Sequence, residues 1–321
     1  LPLGKNRVGK TPISLRSTFS NLSLQFIHKF IPKFFTLGGE LSGSFHLKGI
    51  PANTQFTYDF DVQNGLFDSI ELGHVFGNGS YDGRRIFVKK VEATHPDGKI
   101  TAQGSVPFDF NINSPSIGRL FPGDSLDFHA LAQMGSLPFL TPYIEDLDSV
   151  RGDMDISLSL TGPVESIQRS GHIKVKNGKI YTLLTTDPAT SVEGEAFLNH
   201  NQLVIQDLVT TLYHSNGKYP KPKKQNTTLS GSIDFTQFFN PGYDLHLKGK
   251  EASFKALYLD ITGQSNVDVT ISGRDTIIIA GTIESLDANI FYEFTTEEMG
   301  TALPRETGTV MSYQLNIPIR G

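Results

Sequence analysis

The sequence contains no cysteine and no tryptophan. The missing thiols exclude a disulfide scaffold and any thiolate metal site, although they do not fix the compartment. Charge of one sign is also missing. With 28 Lys and Arg against 33 Asp and Glu, the net charge of -5 leaves no basic footprint for nucleic acid or an anionic membrane surface. Long apolar runs are absent too. The longest islands, such as Phe34-Phe35 and Ile277-Ile278-Ile279-Ala280, fall far short of the roughly 20 residues of a membrane span. The chain starts at Leu1 and shows no leader, so it reads as an excerpt whose targeting elements lie outside the given residues.

What is present points to strands. Phe is prominent at 23 residues, and 31 Gly and 17 Pro punctuate the chain. Internal repeats come next, because a missed repeat miscalls the fold. A shift of 113 positions aligns residues 13–67 with 126–180 without a gap. Ile13 and Leu15 then fall on Leu126 and Phe128, Gly39 and Gly49 on Gly152 and Gly162, and Asn64-Gly65 on Asn177-Gly178. A third, partial copy places Gly263 and Gly273 on Gly152 and Gly162. Later segments correspond more loosely, Tyr81–Val88 with Leu198–Ile205 and Thr101–Phe108 with Thr228–Phe235, and an insertion from His214 to Gln225 accounts for the drift. The expected units are 1–124, 125–250 and a partial 251–321.

Residues 154–160, 267–271 and 56–62 alternate apolar and polar side chains, the pattern of strands with one apolar and one polar face. Asn64-Gly65 and Asn177-Gly178 read as tight hairpin turns or bulges. Residues 24–31 and 137–144 break the alternation in a way that suits short amphipathic helices, limited by Pro32 and Pro142. A unit with one apolar sheet face cannot bury it alone, so neighbouring units are expected to stack into a continuous sheet. The apolar face is the candidate site, a groove lined by Phe45, Leu47, Phe56, Tyr58, Phe60, Ile156, Leu158, Leu160, Val267, Val269 and Ile271. An ordinary closed core is the plainer reading of the same residues.

Residues 39–51, with their Gly-x9-Gly spacing, residues 152–163 and residues 170–180 resemble the TamB family within the AsmA-like group of envelope proteins. The likeness extends from about residue 12 to 290. The resemblance implies an all-β fold: an elongated, curved antiparallel sheet, taco- or gutter-like, with an apolar interior. It also implies a periplasmic protein of a two-membrane bacterium, anchored in the inner membrane and meeting a TamA-like outer-membrane barrel. Such a protein carries phospholipid between the two membranes. Anchor and barrel-docking elements are expected outside these residues, and so is membrane contact. The alternative is a periplasmic scaffold for outer-membrane protein assembly or secretion, without lipid transport.

Sharper chemistry finds little footing. Asp59-x-Asp61 and Asp153-x-Asp155 occupy alternate strand positions opposite the apolar residues, so they are expected on a solvated face rather than on a metal. His46, His172 and His246 fall on that face as well, and no His-x-His or His-x3-His spacing occurs. Gly73-x3-Gly77-x-Gly79 reads as a loop rather than a phosphate turn. Arg151-Gly152-Asp153 spells an adhesive tripeptide whose glycine is the repeat's own. Lys218 to Lys224 reads as a solvated, basic hairpin extension, with contact to anionic headgroups as the functional alternative. Solenoid adhesins and β-helix enzymes repeat at about 20–30 residues, far below this period. The expectation is therefore a non-enzyme with no catalytic residue, no metal, no cofactor and no nucleic-acid partner.

Overall fold

Alternation at period two makes strands, and strands make up most of the described residues. The computed structural model describes residues 11–27, 37–50, 53–67, 70–110, 120–121, 123–137, 147–182, 185, 187–215, 220–237, 240–256, 261–290, 312–316 and 319–320. The first six strands are β1 (Ile13–Ser23), β2 (Leu37–Ile50), β3 (Asn53–Phe67), β4 (Ile70–Tyr81), β5 (Arg85–His95) and β6 (Gly98–Pro107). Six more follow: β7 (Ser125–Ser136), β8 (Leu147–Pro163), β9 (Gln168–Thr182), β10 (Ala189–Asn199), β11 (Gln202–Thr211) and β12 (Thr227–Asp234). The chain continues with β13 (Gly242–Ala256), β14 (Ile261–Gly273) and β15 (Thr276–Ile290), and ends with the short β16 (Ser312–Asn316) and β17 (Ile319–Arg320). The fold is all-β.

Two units divide the chain. The first takes residues 1–142 and 154–173, the second 143–153 and 174–321. In the first, β1 to β7 pair in chain order as an antiparallel meander. In the second, β10 to β15 do the same. The antiparallel rule stops at β16 and β17, which pair parallel to β15.

The sequence repeat has a backbone cause. Gly39, Gly49, Gly152, Gly162 and Gly273 all take positive φ, between 96° and 143°, where an L side chain is strained. Asn64 and Asn177, at φ 53° and 51°, are a matching pair in the left-handed region that Asn tolerates. Both lie inside strands, β3 and β9, and the register of β3 against β4 shifts between Val62 and Gly65. Of the two readings open for Asn-Gly, the bulge is correct and the hairpin turn is not. Further register shifts at Phe19/Leu22 and Gly38/Glu40 line up with it across β1 and β2. A row of bulges bends and twists its strands, so the sheet of the first unit is curved there.

Of the segments read as short helices, Leu24–Ile27 forms a single turn, α1, and residues 28–31 lie outside the described residues. Leu137 follows β7 in non-helical backbone, and 138–144 lie outside the described residues. The stretch Gly73 to Gly79 is not a loop. It is strand β4, for a reason given with the site.

Candidate functional site: the apolar sheet faces

Residues opposed in an antiparallel ladder project from the same face. In the first unit one such row runs Leu15, Leu47, Phe56, Tyr81, Ile86, Val106. A second runs Phe45, Tyr58, Gly79, Val88, Gly104, Phe128, and a third Leu41, Val62, Val75, Ala93, Ile100, Ala132. Every member is apolar, apart from the tyrosine hydroxyls. Strand β8 continues the face. Gln133 donates to Asp155 at 3.2 Å, and Ser159 and His129 meet at 2.8 Å, all on the polar side. Parity then puts Ile156, Leu158 and Leu160 on the apolar side with Phe128, Ala130 and Ala132. Phe45, Leu47, Phe56, Tyr58, Phe60, Ile156, Leu158 and Leu160 thus share one face of one unit.

The second unit repeats the arrangement. Leu229, Leu247, Val269 and Gly281 form one row, and Gly231, Leu245, Ile271 and Ile279 the next. Val267 opposes Gly249 and Ile283. Val267, Val269 and Ile271 therefore share that unit's apolar face. Their depths differ: Val269 is 4 % exposed, whereas Val267 and Ile271 are half-buried.

The opposite face is mainly polar, with Phe76, Phe87 and Leu131 as apolar members in the first unit. Ser44 donates to Asp59, His74 meets Asp61 at 2.6 Å, and Glu92 sits between Lys90 and Lys99 at 2.8 and 2.7 Å. Hydrogen bonds from those two ammonium groups hold the Glu92 carboxyl below its ordinary value, as the bond from His74 does for Asp61. His246 meets Asp268 at 2.6 Å in the second unit. The paired carboxylates read as solvated are on this face and engaged with neighbouring side chains. Among the described residues no cluster of three or more His, Asp or Glu could hold a metal ion.

Side chains cover the apolar face of the first unit locally near its two ends. At one end Phe110 packs on Phe56 and Tyr81, with ring centroids 5.1 and 4.9 Å away, and its backbone N–H donates to the Tyr81 hydroxyl at 3.2 Å. Tyr81 is left 3 % exposed. At the other end Leu24 of α1 and Leu72 pack on Val62, Val75 and Ala93. Between them Phe45, Tyr58, Phe60, Phe128, Leu158 and Leu160 stay half-buried. A face covered by a second layer would bury such side chains almost completely.

The glycines of β4 make this floor. A Cβ on Gly79 would lie 2.3 Å from the Tyr58 hydroxyl, and one on Gly77 would lie 2.7 Å from Cζ of Phe60. The two rings lie over the two glycines, 6.4 Å apart and stacked. This aromatic cover is what keeps a glycine-rich strand in the sheet. It also deals with the polar atom of Tyr58, whose hydroxyl donates to the Phe87 carbonyl at 3.4 Å, and burial pushes that phenol up from its ordinary value.

No family model, no curated protein and no solved structure matches the chain.

Sequence reasoning missed the buried polar groups, among them His214. The segment 218–224, read as solvated, does carry exposed Lys221, Lys223 and Lys224, but His214, where the insertion begins, is 7 % exposed. His214 meets Asp187 at 2.9 Å, and Ser215 donates to the same carboxylate through its N–H and its hydroxyl, at 3.3 and 3.2 Å. Asn226 closes the loop by bonding both the N–H and the carbonyl of Leu212. Burial works to raise the Asp187 carboxyl, but the bonds from His214 and Ser215 outweigh it and hold the group below its ordinary value. A depressed folded value means the clamp contributes fully at neutral pH and weakens only as pH falls through it. Asp187→Asn is expected to cost about 1–3 kcal/mol at neutral pH and to flatten the loss of stability in acid. Denaturant melts of both proteins across that range are the check, and parallel acid profiles would dispose of the clamp.

Proposed function

We propose that this chain is a segment of an envelope-spanning protein of a two-membrane bacterium that carries phospholipid along its apolar sheet face. The observation that carries the reading is the half-buried apolar floor of the first unit, backed by a mainly polar face. Along β8 the residues from Ile156 to Leu160 are half-buried throughout, a run of roughly 13 Å at about 3.3 Å per residue, enough to take much of an acyl chain. Burying a methylene is worth about 0.8 kcal/mol, so two chains of some 15 methylenes resist water by on the order of 20 kcal/mol. An apolar floor removes that barrier, and non-directional contacts let the chains slide. Conduction of this kind calls for no catalyst or cofactor. Under this reading the parent protein is periplasmic, anchored in the inner membrane, and meets a TamA-like outer-membrane barrel.

The test is a photocrosslinking amino acid at Leu158, on the half-buried floor, with Asp155 on the polar face as its control. Phospholipid adducts formed in cells at 158 and not at 155 are the expected result. Adducts to protein alone at 158 would replace lipid transport by a scaffold role in outer-membrane protein assembly. Val269 is the poorer position, because at 4 % exposure little can reach it.

A further inference from the structure

We propose that the outer edge of β1 is a docking site for an extended strand that pairs antiparallel and places a glycine opposite Leu15. This does not rest on the lipid reading. Strand β1 pairs with β2 on one side, and no ladder among the described residues gives it a partner on the other. Ile13 and Leu15 are 46 % and 51 % exposed, while their repeat counterparts Leu126 and Phe128 in β7 are half-buried. Strand β1 also carries little of what keeps free edges from pairing: no proline and one charge, Arg16.

The internal repeat shows what fits such an edge. Strand β6 lies on β7 with Gly104 opposite Phe128, Ala102 opposite Ala130 and Gln103 opposite His129. A Cβ on Gly104 would lie 2.2 Å from the Asp127 carbonyl oxygen. The pairing of β12 with β13 has the same form, with Gly231 opposite Leu245 and Ser230 opposite His246. There a Cβ on Gly231 would lie 2.2 Å from the Asp244 carbonyl oxygen. The flanking residues agree, Asp127-Phe128-His129 in β7 with Asp244-Leu245-His246 in β13. Twice, then, the docked strand approaches so closely that only glycine fits opposite the central apolar residue. The 113-residue shift carries Phe128 to Leu15, His129 to Arg16 and Leu131 to Thr18. The occupant of β1 therefore has the β6 pattern: glycine opposite Leu15, small or apolar residues opposite Ser17 and Phe19, polar ones opposite Arg16 and Thr18.

The absence of cysteine makes the test clean. The full chain carrying Arg16→Cys is oxidised with a peptide of residues 98–107 carrying Gln103→Cys, and Thr18→Cys is the mismatched control. Directly opposed residues stand about 4.5–5.5 Å apart and diagonal ones about 7–8 Å, so only the matched pair has disulfide geometry. Both positions are exposed, so folding is not at stake. The expected result is a peptide adduct at 16, little at 18, and loss of the adduct when Gly104 of the peptide becomes valine. Equal adducts at both positions, no adduct at either, or Arg16→Cys chains linked to one another in preference to the peptide would overturn the proposal. The last outcome would assign the edge to a second copy of the chain.

Discussion

Val269→Asp is expected to unfold the second unit's sheet at denaturant concentrations where the unchanged protein is intact. Val269 stands between Leu247 and Gly281, with 4 % of its surface exposed. A carboxylate there loses its water and gains no donor, since its row neighbours Leu229, Leu247 and Gly281 have only apolar side chains or none. The cost of an unpaired buried charge puts the loss at about 4 kcal/mol or more. One residue on, Thr270 is exposed and opposes His246 on the polar face. Thr270→Asp should change stability by no more than about 0.5 kcal/mol. Urea titrations followed by circular dichroism compare the two. Coincident midpoints would refute the two-faced sheet.

The second large effect is expected at Gly77. A Cβ there would lie 2.7 Å from Cζ of Phe60 and 2.9 Å from the Lys90 carbonyl oxygen. Valine has no room unless the Phe60 ring leaves the floor, and overpacking of this kind costs about 1–3 kcal/mol. The ring is the principal obstacle, so a smaller residue at 60 should relieve it. Phe60→Leu costs stability in the natural background and is expected to recover about 1 kcal/mol beside Gly77→Val. A full double-mutant cycle by denaturant melts measures the coupling. Strict additivity would mean that the ring does not rest on this glycine.

Both predictions depend on parity and register, which differ in how far a sequence reveals them. Parity is local. Met154 to Leu160 and Val267 to Ile271 announce their two faces by alternation alone, and the structure places Asp155 and Asp268 opposite the apolar residues, as that alternation requires. Positions needing a left-handed backbone are local too, so Gly39, Gly152 and the Asn64 and Asn177 pair stood out as recurring letters. Register is not local. That Tyr58 covers Gly79 and Phe60 covers Gly77 follows from the pairing of β3 with β4, and without it three glycines within seven residues look like a loop. His214 gave no signal, because its partner Asp187 lies 27 residues away in another connection.

The sequence by itself determined the all-β class of fold and the two-sided alternation of strands such as β8 and β14, because these are written in period-two patterning. Only the tertiary structure decided which rows are sealed and which stay half-open. Exposure depends on what packs above a side chain: Phe110 covers Tyr81 and leaves Tyr58 half-buried, though the two tyrosines share one face.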